Sequence, residues 1–267
     1  MTKWKIMALC VGWIDLYKGV VTTGIDTAKY IREPIWVYAV YNKDYKILVD
    51  TGIHDKDWII SNRGPIVQSE DETLKAAVRN GLGWSLDEVD IVINTHMHYD
   101  HVGGNQFVTN AKFYVQKSEW DYSFNPYKTH KYLYIDELYS PDKINHFRWN
   151  FVDGDVDLLS GIRLIATPGH SVGHQTVLVD TEEGVVCITG DAVAILQNLS
   201  RKTFNSISIK TSEMDMFDSM DKIARCGSYI CPGHDPNITN FQTSGFPRIV
   251  DLQNETVKLD YPALEQD

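Results

Sequence analysis

The chain has 267 residues, 43% of them hydrophobic and 23% charged, with a formal net charge of −11 and a pI near 5.2. That length can bury a sizeable core, and the acidic balance argues against nucleic acid and anionic membrane surfaces as partners. No run of eighteen or more apolar residues occurs, so the sequence predicts no membrane span.

Lys3 and Lys5 ahead of the apolar run 6–14 resemble a weak secretory signal. No small-residue cleavage site follows, and Asp15, Tyr17 and Lys18 come directly after, so residues 4–10 read as a first core strand. Four cysteines (Cys10, Cys187, Cys226, Cys231) form no C-x-x-C pair, and the expectation is a cytoplasmic protein with reduced thiols. A polar loop over 15–33 precedes strands at 35–41 and 45–49, which Asn42-Lys43-Asp44 joins as a hairpin turn. Residues 53–68 show no clear period and read as a mobile loop carrying Trp58, Ile59 and Ile60. Ser69 and Glu72 make a capping box for a helix whose apolar face is Leu74, Ala77 and Val78 and which Gly81 stops.

A strand at 89–94 follows, then a histidine-rich loop, a strand at 111–116 and a helix from 118 to about 124. Residues 125–148 are polar and aromatic and carry no assignable pattern. Four short strands at 156–159, 162–166, 176–179 and 185–189 lead to a helix from about 214 to 225 and a last strand at 229–231. No linker or repeat divides the chain, so one domain over 1–267 is expected, with 241–267 as a carboxy-terminal extension.

The loop Asn94-Thr95-His96-Met97-His98-Tyr99-Asp100-His101-Val102-Gly103-Gly104 is the centre of the sequence. His96 and His98 are two apart, so an extended backbone turns both imidazoles to one side, and Asp100 and His101 follow where the chain bends. Imidazole nitrogen and carboxylate oxygen are the usual non-thiolate ligands of zinc. Three further residues of ligand type stand at separate strand ends, each after a glycine: His170 in Thr167-Pro168-Gly169-His170, Asp191 in Thr189-Gly190-Asp191, and His234 in Pro232-Gly233-His234. A lone histidine at a strand end is usually a hydrogen-bonded surface residue. Three strand ends beside one ligand loop are what a metal site in a layered α/β fold requires.

These residues resemble the metallo-β-lactamase superfamily signature, H-x-H-x-D-H followed by separated His, Asp and His. Pro34-Ile35-Trp36-Val37-Tyr38, Asp50-Thr51-Gly52, the segment from Thr167 to Gln175 and Gly233-His234-Asp235 are most similar to the quorum-quenching N-acyl-homoserine lactonases. The resemblance implies an α/β fold of αββα type, two mixed sheets packed together with helices outside. It implies that His96, His98 and His170 hold one metal, and that Asp100, His101 and His234 hold another, with Asp191 bridging. Two zinc ions per chain are expected, with manganese, iron or cobalt as substitutes. Asp50 and His174 are expected to support the ligands from behind. Family members have a tyrosine three residues after the bridging aspartate; here that position is Ala194. Tyr17, Trp58, Ile59 and Ala194 are the candidate substrate contacts.

The function these features imply is hydrolysis of a lactone or related cyclic ester or amide by a metal-bridging hydroxide, with Asp100 as the catalytic proton carrier. The alternative is a glyoxalase II-type thioesterase or another small-molecule hydrolase of the same fold. The expected partner is a small-molecule substrate, with the chain a monomer or homodimer.

Overall fold

The computed structural model describes residues 3–200 and 205–265. Period-two alternation explains its layers. In β2 (Tyr30–Tyr41), Trp36, Tyr38 and Val40 face one cluster of buried side chains while Ile35, Val37 and Ala39 face another. A strand apolar on both faces must lie between two layers, and β2 does. Its inner face meets the second sheet, and its outer face is covered by helices.

The first sheet has the order β4-β1-β2-β3-β5-β6-β7, where β1 is Lys5–Tyr17, β3 Lys46–Val49, β4 Ile66–Val67, β5 Ile91–Ile93, β6 Lys112–Gln116 and β7 Arg148–Val152. The second has the order β12-β11-β10-β9-β8, where β8 is Val156–Leu159, β9 Ile162–Ala166, β10 Gln175–Asp180, β11 Val185–Gly190 and β12 Tyr229–Pro232. Both are mixed, with parallel pairs β3–β5, β5–β6, β6–β7 and β11–β12. Ile47, Val49, Ile91 and Ile93 of the first sheet pack against Ile162, Leu164, Val177 and Val186 of the second. Full burial of such a side chain is worth about 1.5–3 kcal/mol, so this layer is a major source of stability. Outside lie α1 (Lys56–Asn62), α2 (Leu74–Leu82), α3 (Tyr99–Val102), α4 (Lys117–Ser123), α5 (Glu213–Cys226) and α6 (Ile249–Gln253). The architecture is the αββα sandwich that the sequence implied.

Several elements differ from expectation. β1 and β2 each run further, so the polar loop shrinks to the stretch between Tyr17 and Tyr30. Residues 56–62 form α1 rather than a mobile loop, because the Asp55 side chain accepts from the Trp58 N–H as its cap and Ile59 is buried. The Ser69–Glu72 pairing closes a short 3-10 turn, and α2 starts at Leu74 with Thr73 as its cap. It ends at Gly83, in the left-handed region, not at Gly81. β7 lies where no strand was expected, in a stretch whose alternation the aromatic residues obscure. Beyond residue 240, the α6 side chains of Ile249 and Leu252 are buried against β11 and β12, and Tyr261 packs with Ile31, Ala194 and Ile195 while its hydroxyl donates to Asp235.

Candidate metal centre

Four strand ends on one edge of the sandwich converge. β5 delivers His96 and His98, and α3 then turns Asp100 and His101 back toward them. β9, β11 and β12 of the second sheet deliver His170, Asp191 and His234. The loops meet closely at Gly190 (φ +46°), where a Cβ would stand 2.7 Å from Thr95 Oγ1 and 2.9 Å from His174 Nε2. Only glycine permits that approach. The sheets are tied beside His234 as well: Trp36 Nε1 donates to the Asp235 carbonyl at 2.9 Å and the Tyr38 hydroxyl to the Pro232 carbonyl at 2.7 Å.

Hydrogen bonds fix which ring nitrogen each histidine leaves free. His170 Nδ1 donates to the Ile209 carbonyl at 2.7 Å, and His234 Nδ1 donates to the Pro34 carbonyl at 2.9 Å. His101 Nδ1 meets Asp50 Oδ2 at 2.9 Å. Thr95 Oγ1 donates to that same oxygen at 2.7 Å and accepts from His96 Nδ1 at 3.0 Å. The Nε2 atoms of His96 and His170 are therefore lone pairs turned inward, and those of His101 and His234 point inward as well, free to coordinate once deprotonated.

Three nitrogens, His96 Nε2, His98 Nδ1 and His170 Nε2, lie 2.9–3.2 Å from one another. With two of the three fixed as acceptors, that triangle holds together when a cation sits among them. A tetrahedral zinc with Zn–N bonds of about 2.0–2.1 Å spaces its ligand nitrogens about 3.3 Å apart. The donor set fits a metal.

A second group lies alongside. His234 Nε2 is 3.2 Å from Asp191 Oδ1 and 3.8 Å from Asp100 Oδ2; His101 Nε2 is 3.5 and 3.8 Å from the same two oxygens. The other oxygen of Asp191, Oδ2, is 3.3 Å from His170 Nε2 in the first group. Asp191 thus spans both. His101 Nε2 and Asp191 Oδ1 are buried without a hydrogen-bond partner, the condition of ligand atoms.

The two groups differ electrically. Burial, with other imidazoles close by, drives His96 and His98 well below the usual histidine range. Burial also opposes charge on His101 and His234, but the Asp191 and Asp100 carboxylates outweigh it. They raise His101 to about 9 and His234 well above its usual value. Asp191 shows the reciprocal effect: burial resists its charge, and the imidazoles around it, His234 foremost, still bring its carboxyl well below the usual range.

The supporting residues stand behind these ligands. Asp50 occupies the left-handed region (φ +61°), rare for a residue with a side chain, and accepts from Thr95 N–H at 2.7 Å as well as from the groups above. His174 Nε2 accepts from the Asp191 N–H at 3.2 Å, and its Nδ1 meets Thr167 Oγ1 at 2.9 Å. The candidate substrate contacts scatter. Tyr17 is half-exposed and packs edge-on against Tyr30. Trp58 is partly buried between His54 and the Arg63 guanidinium. Ile59 and Ala194 are fully covered by apolar neighbours, so both side chains are committed to packing.

Two buried carboxyls escaped the sequence reading. Glu33, on β2, has Oε2 buried without a partner, and burial raises its carboxyl to about 8 beside His234 and Asp191. Glu119, on α4, is fully buried. A lone acidic residue inside an apolar strand, as in Ile31-Arg32-Glu33-Pro34-Ile35, was the available signal for the first. Nothing in the sequence distinguishes the second from a surface glutamate.

The metallo-beta-lactamase superfamily model matches residues 30–234, a span that contains all seven candidate ligands. An N-acyl homoserine lactonase from Bacillus thuringiensis is 29% identical over 211 residues, covering 74% of this chain and 79% of that protein. The N-acyl homoserine lactonase AttM of Azorhizobium caulinodans is 30% identical over 182 residues, covering 64% of this chain and 67% of that protein. Among solved structures, an N-acyl homoserine lactone hydrolase with N-hexanoyl-L-homoserine bound at its catalytic metal centre aligns with a TM-score of 0.77. Identity there is 24%, over 91% of this chain and 100% of that one, a likeness of fold.

Proposed function

The chain belongs to the metallo-beta-lactamase superfamily, and on that premise we propose that it is a dinuclear metal hydrolase that opens the lactone ring of N-acyl homoserine lactones or close analogues. The observation that carries this reading is the convergence of inward nitrogen and carboxylate atoms in two groups joined by the two oxygens of Asp191. In this reading His96, His98 and His170 hold one ion, Asp100, His101 and His234 hold the other, and zinc suits the donors best. Such ions supply Lewis-acid polarisation of a carbonyl and acidify water, so that hydrolysis runs near neutral pH.

The chain's own residues account for the remaining steps. Ring opening adds water across the acyl–oxygen bond: the carbonyl carbon gains a hydroxyl, the bond to the ring oxygen breaks, and that oxygen takes a proton to leave as an alcohol. Asp100 is the candidate carrier. Its side chain is 13% exposed, against 2–6% for His101, His234 and Asp191, so it alone among these four meets both solvent and the centre. Asp191 directs each oxygen at a different set of imidazoles and is occupied as a bridge. Ala194, enclosed in the core, offers no polar atom to a substrate. Contacts to the acyl arm come from other side chains, for which half-exposed Tyr132 and Tyr99, next to Asp100 in sequence, are candidates.

The test is a proton-release assay over N-acyl homoserine lactones, plain γ-lactones, thioesters and β-lactams. Ring opening of the acylated lactones is the expected result. Activity confined to thioesters would replace this reading with the glyoxalase II-type one.

A further inference from the structure

Glu119 sits on α4, outside every ligand-bearing loop, yet its carboxylate holds two of them. The Met97 N–H donates to Oε1 at 3.0 Å, and the Gly173 N–H donates to Oε2 at 2.9 Å. Met97 is the residue between His96 and His98, and Gly173 lies three positions after His170. The Tyr134 hydroxyl adds a third bond to Oε1 at 3.2 Å, and the Tyr134 ring packs edge-on against His98 with centroids 4.8 Å apart. Approach on the far side is equally close: a Cβ on Gly173 would lie 2.2 Å from the Glu119 nitrogen. The side chain is fully buried.

These partners are neutral donors, as is the nearby Ser171 hydroxyl, so Glu119 is a bracket rather than half of an ion pair. One oxygen takes the strand-end loop of the first sheet, and the other takes the loop of the second. Each grip falls on the backbone that carries first-group ligands. The second group is held by other means, through Asp50 on His101, the Pro34 carbonyl on His234 and His174 on the Asp191 backbone.

We infer that Glu119 is a positioning residue of the first metal group, helping to hold His96, His98 and His170 at ligand spacing by joining the loops from the two sheets. The inference rests on the two-metal reading above. A neutral amide cannot replace the carboxylate. In Glu119→Gln the side-chain oxygen can still accept from Met97 and Tyr134, but the NH2 then faces the Gly173 N–H, donor against donor. The variant is nearly isosteric, so the fold should survive while the His170 loop loses its anchor.

The experiment strips the full-length protein of metal and reloads it with Co2+ alone. Chelator competition gives two affinities, and paramagnetically shifted ring N–H signals assign each ion to His170 and His96 or to His101 and His234. Glu119→Gln should weaken the ion on His170 by roughly 10–100-fold, the usual cost of losing an outer hydrogen-bond partner, and change the other at least tenfold less. Glu119→Ala should do the same more strongly. Tyr139→Phe serves as the packing control, because that buried hydroxyl donates to the Ser123 carbonyl at the end of α4 and not to the backbone of a ligand loop. Equal loss of both ions in Glu119→Gln, or a loss no larger than in Tyr139→Phe, would overturn the inference and leave the dinuclear reading standing. A wild-type chain that takes up no Co2+ would overturn both.

Discussion

The two halves of the centre are built on opposite electrical principles. The first group is three imidazoles facing one another, kept neutral by burial and mutual repulsion. The second mixes two imidazoles with two carboxylates, and the carboxylates hold protons on the imidazoles. A neutral triad binds a cation without first giving up a proton. A charge-rich group attracts the cation more strongly but must release protons to admit it. One half is therefore suited to retain its ion, and the other to exchange charge during chemistry.

Breaking the junction should have the largest effect. Asp191→Asn leaves one amide in place of a carboxylate shared by both halves, and metal content and hydrolysis should fall together. Retention of both ions, measured by elemental analysis, would mean that the halves are independent. Asp100→Asn should act on one side only. The ion on His96, His98 and His170 should stay, while kcat falls by roughly 10²–10⁴-fold, the range of a general acid's contribution. That loss should shrink for substrates with good leaving groups; an equal loss on good and poor ones would make Asp100 a ligand alone.

A gentler probe is pH. A histidine with a raised pKa is protonated below that value, so at pH 7 in the metal-free protein His101, at about 9, and His234 both carry protons. Loading the second group should release about two protons and loading the first almost none. On acidification from pH 9, affinity at the second group should fall first, while the first group, with lowered pKa values, holds until well below pH 6.5. Calorimetry in buffers of different ionisation enthalpy counts the protons, and equal counts for both ions would erase the electrical contrast. The smallest expected effect lies outside both groups. Trp58→Ala, on α1, removes a partly buried ring and should cost about 3 kcal/mol of stability. It should raise KM for acylated lactones only if the ring also borders the substrate; unchanged KM with a lowered Tm would assign Trp58 to packing.

The candidate ligands were legible because each stands where periodicity breaks at a strand end, and a histidine there has no packing reason to exist. The sandwich was legible through the superfamily resemblance that these residues and their neighbouring segments carry. What escaped detection depends on tertiary context. The run Trp58-Ile59-Ile60 gives no helical period by itself, and its Asp55 cap is one acidic residue among several. Glu119 occupies a short amphipathic helix whose sequence admits either a solvent or a core orientation. Asp50 could be placed as a supporting residue, but its left-handed backbone could not, since that strain exists only where Thr95 and His101 are present to reward it.

The first group draws its members from both sheets, and this has a mechanical consequence. His98 and His170 are 72 positions apart in sequence and 3.0 Å apart in space. An ion between them would act on the polymer as a cross-link does, closing a long loop that the unfolded chain would otherwise sample freely. Because the ion binds the folded arrangement and not the open one, a free concentration one hundred times its dissociation constant adds about 2.7 kcal/mol to stability. The same ligands that serve hydrolysis would thus rivet the edge of the sandwich, and the melting temperature would track the metal supply.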